Sequence, residues 1–263
     1  MSSPPSSGFL DIGAQRLEYR WIGPRPEAAP TLVLLHEGLG CVGMWGPFPD
    51  QLAVATGCGV FVYSRAGYGQ SSPVALPRRL NYMTEEARDA LPLVLEAIGF
   101  RHGLLVGHSD GASIAAIYAG SHQDHRVRGL VLIAPHFICE DVTNASITEM
   151  RKEFETGELR PRLARWHADV DATVCGWSDV WLGPDFRAWD ISEHLAYVRV
   201  PILIVQGADD QYGTLRQIEI AQEECYCPVD VALLHGARHV PQREAPEATM
   251  RVVTDFISRV MRS

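Results

Sequence analysis

The sequence of 263 residues predicts an α/β fold built on a doubly wound, mostly parallel sheet. Short apolar runs typical of strands buried on both faces alternate with helical segments along most of the chain. The alternation stops between about residues 138 and 199, where tryptophan-rich helical pieces follow one another without a convincing parallel strand. We therefore expect one sheet with right-handed crossovers, helices on both faces and a helical insertion over one end.

Eight strands are predicted in chain order. The first two, 9–12 and 15–22, flank a tight turn at Gly13 and form an antiparallel start. The remaining strands are the apolar runs at 31–35, 60–63, 103–106, 127–134, 201–205 and 229–234.

Helices are predicted between these strands. In the segment 81–98, Thr84 is a candidate N-cap, Gly99 a candidate stop, and Pro92 predicts a kink or a later start. The other predicted helices are 48–55, 112–119, 146–154, 160–167, 177–182, 191–197, 214–224 and 246–261. Residues 1–137 and 200–263 are then the two parts of a core domain, and the insertion at 138–199, after the sixth strand, is called the cap.

Composition restricts the partners and the compartment. The net charge of −9 argues against nucleic acid or an anionic membrane as partner, and no apolar run is long enough to span a bilayer. Met1–Ser7 is polar and proline-rich, lacks the features of a signal peptide and is expected to fray, so a cytoplasmic location is expected. Either a monomer or a small homo-oligomer is compatible with the sequence. The six cysteines lack zinc-site spacing and are interpreted as thiols, and His122 with His125 lacks a third ligand, so neither metal nor cofactor is expected.

The stretch Gly107-His108-Ser109-Asp110-Gly111 has the features of a nucleophile elbow. It follows an apolar strand and precedes a run of small residues with good helix propensity. The glycines would let Ser109 sit on a sharp turn between strand and helix. A glycine-rich turn with an incidental serine is the alternative.

An acid and a base follow two later strands. Asp209 and Asp210 come after the strand 201–205, and His239 comes after the strand 229–234. The carboxyl ends of parallel strands share one edge of a sheet, so these side chains and Ser109 are expected to meet there. A histidine can take the serine proton at neutral pH, and a carboxylate on its other nitrogen fixes the tautomer.

These pieces together resemble the α/β-hydrolase superfamily, specifically its cap-bearing serine hydrolases. The resemblance covers residues 9–262 and rests on the elbow and on His36-Glu37-Gly38, Ser64–Ser72, Gly207-x-x-Asp210 and Gly236-x-x-His239. It implies a triad of Ser109, His239 and Asp210, with Asp209 as the alternative acid and His239 preferred over His235. It implies an oxyanion hole from the backbone N–H groups of Asp110 and Gly38, or Glu37 if the loop is shifted by one. His36 is implied to be structural, and His108 to be packed under the sheet edge.

Two carboxylates depart from the pattern. Many members of this superfamily have glycine where this chain has Glu37, and an apolar residue or glutamine where it has Asp110. A carboxylate near an oxyanion hole opposes the charge that forms there unless it is turned away or neutralised. One interpretation is structural: Asp110 favours a helix N-terminus and Glu37 pairs with Arg65. The other is that one of them recognises a substrate cation.

The cap supplies aromatic residues for a substrate pocket. Most of its large side chains, Trp166, Trp177, Trp181, Trp189, Phe186 and Met150, are expected to pack against the sheet, and a minority to line an apolar pocket. The candidate substrate-binding residues are Glu37, Asp110, Trp45, His136, Phe137, Trp177 and Trp181.

The sequence thus favours a serine hydrolase that needs no cofactor and cleaves a small-molecule carboxylic ester, thioester or lactone through an acyl-enzyme. A carbon–carbon bond hydrolase and a small aminopeptidase remain open within the same fold. A ligand-binding homologue without useful turnover, or a structural protein, is the alternative from another class.

Overall fold

The computed structural model describes residues 6–262. The N-terminal segment expected to fray lies outside the described residues up to position 5, and the first strand begins at Ser7. No helix among residues 6–262 has both the length and the apolar character needed to cross a membrane.

An eight-stranded sheet forms the centre of the molecule, with the strand order β1-β2-β4-β3-β5-β6-β7-β8. The pairs β1–β2 and β2–β4 are antiparallel and all the others are parallel, which confirms the predicted antiparallel start and mostly parallel sheet. The strands are β1 (Ser7–Ile12), β2 (Gln15–Ile22), β3 (Thr31–Leu35), β4 (Gly59–Tyr63), β5 (Gly103–His108), β6 (Val127–Ile133), β7 (Ile202–Gly207) and β8 (Val229–Leu234).

Eleven α-helical segments connect or cover these strands in the described part of the chain. They are α1 (Phe48–Thr56), α2 (Tyr82–Glu85), α3 (Leu91–Ala97), α4 (Asp110–Ser121), α5 (Asp141–Thr156), α6 (Leu159–Leu163), α7 (Val170–Trp181), α8 (Ser192–Leu195), α9 (Arg216–Glu224), α10 (Pro241–Glu244) and α11 (Pro246–Val260).

Pro92 has the effect that the sequence predicted. It lies in the first turn of α3, and a π-helical segment, Glu86–Ala90, joins α2 to α3. Because proline has no N–H to donate, the regular α-helical pattern is interrupted just before it.

Each face of the sheet carries its own apolar core. One core joins α1 and α11 to the sheet through side chains such as Leu52, Phe256 and Ile257, packed on Leu34 and Val106. The core on the opposite face contains side chains from α2, α3 and α4 and also Trp177 and Trp181 of α7. Helices therefore cover both faces, and this part of the fold prediction is confirmed.

The segment after β6 is helical from α5 to α8, and α7 begins earlier than predicted. It starts at Val170 rather than at 177, and the carboxylate of Asp169 accepts a hydrogen bond from the Ala172 N–H as an N-cap. A small third cluster, Phe154, Leu163, Val170 and Val174, joins α5, α6 and α7. The limits of the cap at 138 and 199 remain predictions.

Candidate active site

Ser109 sits at the turn between β5 and α4. Its backbone has φ 52° and ψ −118°, a conformation that is strained for a residue with a side chain. The flanking glycines are required by space: a Cβ on Gly107 would lie 2.3 Å from the Gly111 carbonyl oxygen, and one on Gly111 would lie 2.0 Å from the Leu35 carbonyl oxygen. The elbow geometry predicted from the five-residue motif is therefore present.

A chain of hydrogen bonds runs from Ser109 to a carboxylate. His239 Nε2 lies 3.0 Å from Ser109 Oγ, and His239 Nδ1 lies 2.9 Å from both carboxylate oxygens of Asp210. Since Nδ1 faces a carboxylate, it carries the proton, and Nε2 is left to accept the proton of the serine hydroxyl. Serine, histidine and aspartate are thus arranged for nucleophilic attack assisted by a base.

The structure separates the two neighbouring aspartates. Asp210 also accepts hydrogen bonds from Gln206 Nε2 at 2.7 Å and from the Tyr212 N–H at 2.8 Å. Burial raises the pKa of Asp210, but the hydrogen bond and charge of His239, together with the Tyr212 N–H, outweigh it and lower the pKa, so Asp210 stays ionised beside the histidine. Asp209 is exposed, and the hydrogen bonds of the His239 ring go to Asp210 and Ser109 instead.

The other histidines near the loops have the roles implied by the resemblance. His36 Nε2 accepts a hydrogen bond from the Arg65 N–H at 3.0 Å, and its Nδ1 donates to the Glu37 carbonyl at 2.7 Å. His108 is 2% exposed, its Nε2 lies 2.8 Å from the His239 carbonyl oxygen, and its ring faces Trp45. His235 is exposed.

Three backbone N–H groups near Ser109 in the cavity lining have no protein acceptor in the described part of the chain. Among residues 6–262, the N–H groups of Glu37, Gly38 and Asp110 donate no hydrogen bond. Such groups can hold an oxyanion. Gly38 and Asp110 remain the predicted pair, and the shift by one residue to Glu37 stays open.

The indole of Trp177 lies directly against Gly38. A Cβ on Gly38 would lie 2.2 Å from Trp177 Nε1, so only glycine leaves room for the ring. We expect Gly38→Ala to lower the free energy of unfolding by about 1–3 kcal/mol, because the indole must move out of a packed site. Urea denaturation measures this loss. In the double variant Gly38→Ala/Trp177→Phe the smaller ring should relieve the clash. If its loss in the free energy of unfolding equals the sum of the losses in the two single variants, the packing described here is contradicted.

Asp110 is fully buried and its carboxyl group has protein partners. The Tyr82 hydroxyl donates to Oδ2, Trp177 Nε1 donates to Oδ1 at 3.3 Å, and Trp181 Nε1 donates to the Tyr82 oxygen at 3.0 Å. Burial raises the pKa of Asp110. Both oxygens are therefore engaged, which favours the structural interpretation of this residue.

Glu37 is also bonded locally, but not to the predicted partner. Its carboxylate accepts the Leu39 N–H at 2.5 Å, whereas the Arg65 guanidinium donates to the carbonyl oxygens of His36 and Glu37. The predicted Glu37–Arg65 ion pair is therefore wrong, because the short loop turns the Glu37 side chain back onto its own backbone. Burial raises the pKa of Glu37.

A cavity of about 260 Å³ opens onto Ser109 and His239. Its wall includes five of the candidate substrate-binding residues, namely Glu37, Asp110, His136, Trp177 and Trp181. Trp45 and Phe137 lie outside it: Trp45 stacks on Phe48 beneath the loop, and Phe137 is fully buried in the core. Sequence reasoning missed the other wall residues Leu39, Met44, Thr143, Leu159, Leu163, Gln211, Tyr212 and Val240.

Two buried histidines at the site make stability depend on pH. Burial lowers the pKa of His108 and of His136 to about 3, whereas both bind protons below about 6.5 in the unfolded chain. The unfolded state then binds more protons, so the free energy of unfolding falls as pH decreases from about 6.5 towards 3. Each imidazole should remove up to about 2 kcal/mol at pH 5 relative to pH 8.

Urea unfolding of the wild type and of His136→Phe at both pH values measures this effect. The loss of stability between pH 8 and pH 5 should be smaller in the variant, and equal losses would contradict the assignment.

The remaining polar candidates form no metal site in the described part of the chain. No group of three or more His, Cys, Asp or Glu side chains there is arranged so that it could hold a metal ion, and all six cysteines are free thiols. His122 stacks on Tyr118, and His125 is exposed.

Comparison with known proteins identifies the family. A model of the alpha/beta hydrolase fold matches residues 30–174, more than half of the chain. The chain belongs to the α/β hydrolase fold family. Within this α/β hydrolase, the matched region contains His36-Glu37-Gly38 and the elbow at Ser109, while Asp210 and His239 follow it.

Three relatives of this α/β hydrolase illustrate the range of the family. It is 22% identical to 3-oxoadipate enol-lactonase 1 of Acinetobacter baylyi over 254 residues, covering 89% of this chain and 91% of that protein. It is 31% identical to a proline iminopeptidase of Lactobacillus delbrueckii subsp. bulgaricus over 124 residues, 47% of this chain and 42% of that protein. The crystal structure of VinJ superposes with a TM-score of 0.76 at 22% identity, covering 98% of this chain and 100% of VinJ.

Proposed function

We propose that this α/β hydrolase is a serine hydrolase that cleaves a carboxylic ester, thioester or lactone through an acyl-enzyme. The observation that carries the proposal is the hydrogen-bonded series of Ser109, His239 and Asp210, with distances of 3.0 and 2.9 Å, beside N–H groups without acceptors. The likeness to an enol-lactonase over 91% of that protein's length supports a lactone or ester as substrate.

The reaction follows from the roles of these groups. Ser109 Oγ attacks the carbonyl carbon while His239 Nε2 takes its proton, and Asp210 stabilises the resulting imidazolium. The N–H groups of Gly38 and Asp110 donate hydrogen bonds to the oxyanion. His239 returns the proton to the leaving alkoxide or thiolate as the bond to the carbonyl breaks. Water then attacks the acyl-enzyme by the same route and releases the acid.

A substrate panel combined with active-site labelling tests the proposal. Ester, thioester, lactone and amide substrates are compared at equal concentration, and a fluorophosphonate should label Ser109, as mass spectrometry of the digested protein would show. Labelling with a stoichiometric burst but no turnover would favour a ligand-binding homologue. Absence of labelling, or turnover of amides alone, would overturn the proposal.

A small aminopeptidase is the second candidate. It is favoured by the 31% identity to a proline iminopeptidase and by the carboxylate of Glu37 in the cavity wall, which could hold a substrate ammonium group. Pairs of amino and des-amino esters separate the two functions. Similar kcat/KM values within each pair support the ester hydrolase, whereas a preference of tenfold or more for the amino compound, on the order of 1.4 kcal/mol, supports the aminopeptidase.

A further inference from the structure

The cavity wall beside the triad contains a histidine without a polar partner. His136 is 2% exposed, and its ring centroid lies 5.6 Å from that of His239 and 5.4 Å from that of Trp181, which it meets edge-on. Its Nδ1 is buried and has no hydrogen-bond partner among residues 6–262. Its Nε2 has no protein partner there either, and it borders the open cavity.

The backbone that presents this ring is strained. Ala134, two residues earlier at the end of β6, has φ 46°, a left-handed conformation that costs a residue with a Cβ roughly 1–2 kcal/mol. Two hydrogen bonds fix the turn: the Ala134 N–H donates to the Val205 carbonyl at 2.9 Å, and Ser113 Oγ donates to the His136 carbonyl at 2.6 Å. Strain of this kind is typical of functional sites, which favours a role for His136 beyond packing.

The protonation state of His136 follows from its surroundings. Burial lowers its pKa to about 3, so the ring is neutral at physiological pH. A buried N–H without an acceptor is rarer in proteins than an unused acceptor, which assigns the proton to Nε2 rather than to Nδ1. His136 therefore presents a neutral N–H donor to the cavity.

The rest of the wall restricts what can accept this hydrogen bond. The residues that line the cavity include Glu37 and Asp110 but neither lysine nor arginine, so no cationic side chain is available there to pair with an anionic group. Most of the remaining wall is apolar, including Leu39, Met44, Met150, Leu159 and Leu163.

We infer that the substrate carries, apart from the bond that is cleaved, an uncharged oxygen acceptor such as a ketone carbonyl, and that His136 Nε2 donates a hydrogen bond to it. The inference rests on the proposed function and narrows its substrate class to neutral, largely apolar esters or lactones with one further oxygen. His136 is then a specificity-determining residue. One such hydrogen bond should favour the oxygenated substrate by about tenfold in kcat/KM.

Matched esters test this inference. Ethyl hexanoate is compared in a pH-stat with ethyl 4-oxohexanoate, ethyl 5-oxohexanoate, 3-oxobutyl hexanoate and the anionic monoethyl hexanedioate. In the wild type, kcat/KM for at least one oxo ester should exceed that for ethyl hexanoate by about tenfold, and kcat/KM for the anionic ester should not exceed it. In His136→Phe this ratio should fall to about one, and His136→Gln, which keeps a donor, should restore part of it. An unchanged ratio in His136→Phe, or a preference for the anion, overturns the inference.

A binding measurement separates this inference from the proposed function. In the Ser109→Ala variant with ¹⁵N-labelled histidine side chains, the oxo esters should shift the Nε2 resonance of His136, and ethyl hexanoate should not. If the wild type hydrolyses no ester while this shift is seen, the proposed function fails and the contact stands. If esters are hydrolysed but no oxo compound shifts the resonance, the inference fails alone.

Discussion

Replacement of Ser109 by alanine should lower kcat for ester hydrolysis by about 10⁵-fold or more. The hydroxyl whose oxygen lies 3.0 Å from His239 Nε2 would be lost, and alanine has no group to replace it as the nucleophile. The rest of the site would still bind the substrate and the oxyanion, which accounts for a small residual rate. Single-turnover and steady-state kinetics with p-nitrophenyl esters measure the effect.

Ser121→Ala is the matched control for this variant. Ser121 is the last residue of α4, which begins beside Ser109, and its hydroxyl is near His194 rather than the cavity. It should keep kcat within about twofold, since surface changes away from a site have small effects. A Ser109→Ala variant that retains more than a few per cent of the wild-type rate would contradict the nucleophile assignment.

Asp210→Asn should lower kcat by about 10⁴-fold, because an amide cannot stabilise the imidazolium and favours the wrong tautomer of His239. The change removes the charge that faces His239 Nδ1 at 2.9 Å and keeps the size of the side chain. The rate of fluorophosphonate labelling at Ser109 should fall with kcat, which gives a readout that does not depend on product release.

The neighbouring aspartate provides the control. Asp209→Asn changes the same functional group one residue away, in an exposed side chain, and should leave kcat within about threefold. A larger loss in Asp209→Asn than in Asp210→Asn would assign the acid to Asp209. Thermal unfolding of both variants distinguishes a loss of catalysis from a loss of the folded protein.

The parallel part of the fold could be predicted almost fully from the sequence. Strands such as β3 and β5 are continuous apolar runs because both of their faces are covered, and their predicted limits are within two residues of the structure. The start of α7 was missed because Val170, Thr173 and Val174 are β-branched and have low helix propensity. All three are buried, so tertiary packing overrides the local preference.

The candidate triad could also be located from the sequence, because each residue follows a strand end and such ends meet at one edge of the sheet. Contacts between residues that only the packing of the fold brings together could not be predicted from the sequence. Tyr82 reaches Asp110 across 28 residues of sequence, and nothing in the local pattern around either residue indicates the contact. The contact between Trp177 and Gly38 could not be predicted for the same reason. Trp45 was assigned to the pocket from the sequence, but it packs on Phe48.

The bonds from Trp177 to Asp110 and from Trp181 to Tyr82 have a consequence for product release. If α7 swung outwards, both indoles would leave buried polar groups unpaired beside the nucleophile, at a cost of about 1–3 kcal/mol for each group. We therefore expect α7 to stay in place when product leaves. A route for the product that leaves α7 in place avoids this cost.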